Sequence, residues 1–170
     1  MSNSKAAPPE ERLIVLLRHG IAEEESEEKK DEDRGLTPEG HAKMKQIARG
    51  LESVLPRTQA IFSSPLLRAV QTALWVSKAY RARVTVTTAD VFAPGVKAKA
   101  VAAFLRSIEH KRIVVVGHEP SLTETLRALT GLRGGDLSLK KGGCYAVRLV
   151  GDTATLEWLL PPRTLRHLGG

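Results

Sequence analysis

Two histidines and two arginines stand beside short apolar runs in a way that groups them chemically. Arg18 and His19 follow the run Leu13–Leu17, Arg68 comes shortly after Ala60–Phe62, and His118 follows Ile113–Val116. Guanidinium forks hold equatorial phosphoryl oxygens through charge-assisted hydrogen bonds, and an imidazole nitrogen can attack phosphorus or donate to its oxygens. Four such groups at one rim suit a phosphoryl group. Cations beside an imidazole also disfavour its protonation, which leaves the neutral form that nucleophilic attack requires.

The surrounding elements explain how such a rim could form. The runs before Arg18 and after Arg112 are apolar and too short for helices, so they are expected to be buried parallel strands, and Ala60–Phe62 a third. Thr37, Pro38 and Glu39 predict a cap and first turn, and the apolar positions Met44, Ile47, Ala48, Leu51 and Leu55 predict a helix of about five turns. Ser64 and Pro65 predict a second helix, through Tyr80, with Ser64 as its cap. Further expectations are a strand at Val84–Thr87, a helix from Lys97 to Ile108, and a helix carrying Leu122, Leu126 and Leu129 that stops at Gly131. Gly142–Val150 and Thr153–Leu160 flank the turn dipeptide Gly151-Asp152 and predict an antiparallel pair. The expected fold is α/β, a three-layer α/β/α sandwich with a mostly parallel sheet and an antiparallel C-terminal pair. Sites in such sheets form outside the carboxyl ends of the strands, and helix N-termini after Ser64 and His118 would add backbone donors.

At these residues the chain resembles the histidine phosphatase superfamily, which includes cofactor-dependent phosphoglycerate mutases. The resemblance rests on Leu17-Arg18-His19-Gly20, Leu36-Thr37-Pro38-Glu39-Gly40, the stretch from Ser63 to Ala73, and Val116-Gly117-His118-Glu119-Pro120, in family order. The short chain and the segment Leu139-Lys140-Lys141-Gly142-Gly143 look most like the bacterial phosphohistidine phosphatase branch. The resemblance implies that His19 becomes phosphorylated, that Arg18 and Arg68 clamp the phosphoryl oxygens, and that His118 donates to the same group. Water would then release phosphate, with no metal and no cofactor.

A glutamate that many members carry after the third strand is missing from Asp90-Val91-Phe92-Ala93-Pro94-Gly95. Asp90 and Glu119 are the candidate proton donors. A weak donor favours phosphohistidine as substrate, because a protonated imidazole leaves phosphorus readily whereas an alkoxide needs its proton delivered. The short connection from Arg81 to Arg112 also leaves the pocket uncovered enough to admit a histidine from another protein. The expected activity is therefore a metal-independent phosphohistidine phosphatase. A phosphatase of small esters or sugar phosphates is the alternative, and a non-catalytic phosphoprotein-binding module a third reading. The partner is either a phosphohistidine-bearing protein or a small phosphorylated substrate.

Charge is divided unevenly. Residues 21–33 hold eight acids against Lys29 and Lys30, giving −6, so that the rest of a chain of net charge +7 carries +13. A basic body attracts anions, yet only three Phe, two Trp and two Tyr occur, and no nucleic-acid-binding signature accompanies them. The acidic run is expected to be solvated and extended, with Asp31-Glu32-Asp33 no metal site, and to act as an electrostatic filter beside the pocket. Lys140 and Lys141, with Arg133 upstream, suit either an acidic partner or an ordinary exposed turn. His41, His110 and His167 are expected at the surface. Cys144, the lone cysteine, excludes an internal disulfide and is expected to be a small buried hydrophobe. No apolar run reaches the ~20 residues of a membrane span, and the first residues lack a secretion signal, so the expectation is a cytoplasmic protein. Residues 1–10 are expected to be a disordered lead-in to one domain over residues 11–170.

Overall fold

A computed structural model describes residues 10–170, so the expected lead-in lies outside the described residues except for Glu10, which pairs with Lys111 at 3.2 Å. One six-stranded sheet contains β1 (Glu11–Arg18), β2 (Ala60–Ser63), β3 (Val86–Thr88), β4 (Arg112–Gly117), β5 (Cys144–Val150) and β6 (Thr153–Leu160), in the order β3-β2-β4-β1-β5-β6. The first four strands run parallel. β5 is antiparallel to β1, and β6 to β5, so the mostly parallel sheet with its antiparallel C-terminal pair is as expected.

β1 is apolar without alternation because both of its faces are covered. Val15 and Leu17 point to one side, Ile14 and Leu16 to the other, and all four are fully buried. The first side packs against α1 (Pro38–Val54), α2 (Leu67–Ala79) and α5 (Pro162–Leu168), through Met44, Leu51, Ala73, Val76 and Leu165. The second packs against α3 (Ala98–Ser107) and α4 (Ser121–Thr130), through Leu105, Leu122 and Leu126. Three layers result. No helix among the described residues is long and apolar enough to cross a membrane. Cys144 is fully buried in the first layer, where burial pushes its thiol up to about 12.

Three elements differ from the sequence reading. α2 begins at Leu67 rather than at Ser64, because the Ser64 hydroxyl is drawn to His118 and serves the Leu66 amide of a turn instead of a helix. β3 is shorter and later than Val84–Thr87. The end of the chain forms α5, with Pro162 in its first turn and Leu165 fully buried between it and α1. His41 is not simply a surface residue either: its Nδ1 accepts a hydrogen bond from Trp75 Nε1 at 3.0 Å and ties α1 to α2.

The start of α1 also shapes the chain that leaves β1. Thr37 Oγ1 accepts from the Gly40 amide at 3.0 Å, and the Thr37 amide donates to the Ile21 carbonyl, also at 3.0 Å. A Cβ on Gly40 would lie 2.0 Å from that carbonyl oxygen, so only glycine lets the segment after His19 lie against the first turn.

Candidate active site

Arg18 and His19 end β1, Ser64 follows β2, and His118 follows β4. Backbone hydrogen bonds fasten these ends together: the His19 amide donates to Gly117 O at 3.1 Å, and the Ser64 amide to Val116 O at 2.9 Å. Arg68 enters from the first turn of α2. The structure thus brings Arg18, His19, Arg68 and His118 into one cleft of about 290 Å³.

His19 is buried, and its Nδ1 lies 2.8 Å from Gly20 O. A carbonyl can only accept, so Nδ1 carries the proton and the lone pair of the neutral ring sits on Nε2. Burial, followed by the charges of His118, Arg68 and Arg18, lowers its pKa to about 3 against the help of the Gly20 carbonyl. Burial therefore outweighs the neighbouring cations that the sequence suggested. Gly20 is held in turn, since its amide donates to Thr72 Oγ1 at 3.0 Å and that hydroxyl donates to Arg68 O at 2.8 Å.

The two imidazoles face each other with ring centroids 5.0 Å apart. His118 Nε2 is 2.8 Å from Ser64 Oγ, which already accepts from the Leu66 amide at 3.3 Å. The arrangement that uses every group has the Ser64 hydroxyl donating to Nε2 and the proton of His118 on Nδ1. Burial, then Arg68, with smaller contributions from Arg18 and Arg34, lowers the His118 pKa to about 4 although Asp31 opposes them. Both histidines are neutral at pH 7.

The arginines are partly committed. Arg18 Nη1 donates to Leu139 O at 2.5 Å. Arg68 Nη1 donates to Asp31 O at 2.7 Å, and its Nη2 to Asp31 Oδ2 at 3.1 Å. Each guanidinium keeps a buried Nε–H with no partner among the described residues. An unmatched buried donor costs about 1–3 kcal/mol, so each Nε–H is a cost that the folded site carries.

The acidic run is exposed as expected, apart from half-buried Glu23, but Asp31 corrects the expectation that it is extended. The segment folds back over the cleft through an Ser26–Lys29 bridge and a short 3-10 turn at Asp31–Asp33. Arg34 grips Asp31 Oδ1 with Nε at 2.9 Å and Nη2 at 2.6 Å, while Glu23 Oε2 accepts from Lys29 at 2.7 Å and from the Gly35 amide at 2.9 Å. Partial burial opposes ionisation of Asp31, but the hydrogen bonds and charges of Arg68 and Arg34 hold its carboxyl below the usual range. The sequence reading missed Arg34 as a cleft residue; its spacing of three from Asp31 was the available signal.

Neither candidate proton donor stands ready. Asp90 is exposed in a 3-10 turn and does not line the cleft. Glu119 does line it, but its carboxylate accepts from Thr123 Oγ1 at 2.8 Å, the Thr123 amide at 3.2 Å and the Leu139 amide at 2.8 Å. Glu119 caps the first turn of α4 through the Thr123 amide, so that donor is spent on it rather than on a phosphoryl group. Among the described residues, no group of three His, Cys, Asp or Glu is placed to hold a metal ion.

With Arg18, His19 and His118 at the carboxyl ends of its parallel strands and Arg68 in the first turn of α2, this sheet carries the site of a phosphatase. Residues 14–90 match the model of the histidine phosphatase superfamily (branch 1), and the chain belongs to that superfamily. An uncharacterized protein of Picosynechococcus sp. (strain ATCC 27264 / PCC 7002 / PR-6) is 34% identical over 137 residues, which span 76% of this chain and 81% of that one. In fold the chain is similar to the protein histidine phosphatase SixA complexed with tungstate, with a TM-score of 0.81 at 21% identity over 90% of this chain and 99% of that one. It is also similar to a phosphoserine phosphatase from Entamoeba histolytica in complex with phosphoserine, with a TM-score of 0.71 at 16% identity over 91% and 99% of the two chains.

Proposed function

We propose that residues 11–170 act as one metal-independent phosphatase domain that transfers a phosphoryl group from a protein phosphohistidine to His19 and then to water. The observation that carries this reading is the convergence of Arg18, Arg68 and His118 on one cleft with a neutral His19 whose proton sits on Nδ1. In the first step the Nε2 lone pair forms a bond to phosphorus as the bond to the leaving group breaks. In the second, water forms the P–O bond, the N–P bond breaks, its electron pair returns to Nε2, and the protons of the water leave on the released phosphate. Arg18, Arg68 and His118 stabilise the charge on the transferring oxygens in both steps.

Phosphohistidine fits the state of the acids. Its leaving imidazole, protonated on the other nitrogen, departs neutral and needs no proton from the enzyme, whereas an alkoxide does. Glu119 is engaged as a cap and Asp90 lies outside the cleft, so easy leaving groups suit this site best.

A competition panel tests the reading. Histidine phosphorylated with phosphoramidate on a carrier protein, p-nitrophenyl phosphate and a sugar phosphate are compared under one set of conditions. The phosphohistidine protein should have the highest kcat/KM, and the sugar phosphate the lowest. A sugar phosphate turned over faster than the phosphoprotein would overturn it in favour of a small-ester phosphatase.

A further inference from the structure

Beside the cleft, and meeting it at Arg18 and Lys141, runs a second depression of about 360 Å³ between α1, α5 and the turn at Lys140–Gly142. Its wall combines two chemistries. Ile21, Met44 and Pro162 are apolar, while Lys140, Lys141 and Arg166 are cationic. None of those three cations forms an ion pair with a carboxylate among the described residues; Lys43, which also lines the depression, pairs with Glu39, whose charge also acts on Arg166. Gly142, at φ +81°, holds that turn close against Ile47, a lining residue, since a Cβ there would lie 2.6 Å from Ile47 Cδ1.

We infer that this groove receives the residues flanking the phosphorylated one in a protein substrate, and that those residues are acidic with an apolar side chain among them. The inference rests on the proposed phosphoprotein reading and names its sequence preference. Continuity with the cleft means that a segment whose phosphoryl group reaches His19 has its neighbours over Arg18 and Lys141. A free phosphate or a second phosphoryl group would use the cations but leave the apolar wall unmatched. The acids of the folded loop set a direction, because Glu25 and Asp31 line the cleft and neither lines the groove. An acidic segment is therefore drawn to the groove side and repelled from the loop side.

The test uses synthetic phosphopeptides of one length, with phosphohistidine or phosphoserine at the centre. The flanks are Glu and Leu, Lys and Leu, or Glu and Ser. Each rate is divided by the same protein's turnover of p-nitrophenyl phosphate, which removes any loss of folded enzyme. Wild type should prefer the Glu/Leu phosphohistidine peptide over the Lys/Leu one at least tenfold in kcat/KM, mainly through KM, and should prefer it over Glu/Ser. The acidic preference should vanish in Lys140→Glu/Arg166→Glu and shrink with added salt. Phosphohistidine peptides cleaved without preference, or a preference that survives the charge reversal, would overturn the groove while the phosphohistidine reading stands. Cleavage of the phosphoserine series alone, with the same acidic preference, would uphold the groove and overturn the phosphohistidine reading. Turnover of p-nitrophenyl phosphate with none of the peptides cleaved would overturn both.

Discussion

The proposed attack by His19 at neutral pH requires that its surroundings keep the proton on Nδ1 and off Nε2, and both conditions are visible in the hydrogen bond to Gly20 and in the burial of the ring. Under the proposed mechanism, His19→Ala loses turnover, and the wild-type enzyme quenched during turnover carries acid-labile, alkali-stable phosphate on this residue. Phosphate trapped elsewhere would move the nucleophile. Arg18→Ala and Arg68→Ala each remove a clamp from a water-poor cleft and should lower kcat/KM by about 30-fold or more, equivalent to about 2 kcal/mol. Near-normal kcat/KM in either would show that its guanidinium is not where oxygen binds. Because the positive charge at the cleft comes from these side chains, excess EDTA should leave the rate unchanged; activity that returns only with an added divalent cation would contradict the mechanism. The lowered histidine pKa values carry a stability consequence of definite sign. Between pH 6.5 and about 4 the unfolded chain protonates His19 and His118 while the folded chain does not, so stability is full above pH 6.5 and falls as the pH drops. The slope is at most about 1.4 kcal/mol per pH unit for each ring. Urea unfolding from pH 7 to pH 4.5 should show it, and His118→Ala should make it shallower; an unchanged slope would mean that the imidazole is not held neutral by the fold.

Individual elements differ in how far they could be foreseen. β1, β2 and β4 were legible because short apolar runs ending in polar residues have few other readings, and their carboxyl ends delivered Arg18, His19 and His118 to one rim. α1 was legible from its cap, its first-turn proline and its apolar spacing. The start of α2 was not, because the same Ser64-Pro65 pattern serves a cap or a turn, and the choice was made by His118, fifty-four residues away. α5 has no counterpart in the sequence reading: a seven-residue helix has little periodicity of its own and is held by Leu165 docking onto α1. The partners of Glu119 were equally hidden, since Leu139 is twenty residues on and reaches it only through the fold. Gly40 lies between these cases, being readable as part of a motif but not as a contact. Gly40→Ala should displace the Ile21 carbonyl and with it the segment after His19, costing about 1–3 kcal/mol of stability by overpacking and lowering kcat as well. Unfolding midpoints and p-nitrophenyl phosphate turnover of the purified variant check both effects, and a variant that matches wild type in both would remove the contact from the account.

Across the whole molecule, the cleft lies between an acidic loop and a basic body, and the sequence showed this division but not its geometry. The expectation of an extended run failed at Asp31 and Glu23, whose partners Arg68, Arg34, Lys29 and Gly35 close the loop onto the site. Neutralising Glu23 would therefore loosen the loop as well as change its charge, and Glu25 approaches Arg34 at 3.8 Å. Glu24, Glu27 and Glu28 are exposed and form no ion pair among the described residues, so they isolate the electrostatic effect. If the loop repels free anions at range, the triple Gln variant should raise kcat/KM for p-nitrophenyl phosphate roughly twofold or more at low salt, with kcat little changed. The gain should fade as salt shortens the Debye length from about 30 Å at 0.01 M to about 10 Å at 0.1 M. A loop that acted by covering the cleft rather than by charge would give the same kcat/KM before and after neutralisation at every ionic strength. In that case the acids serve only to seat Asp31 against Arg68, and the selectivity of the site must come from the cleft and the groove beside it.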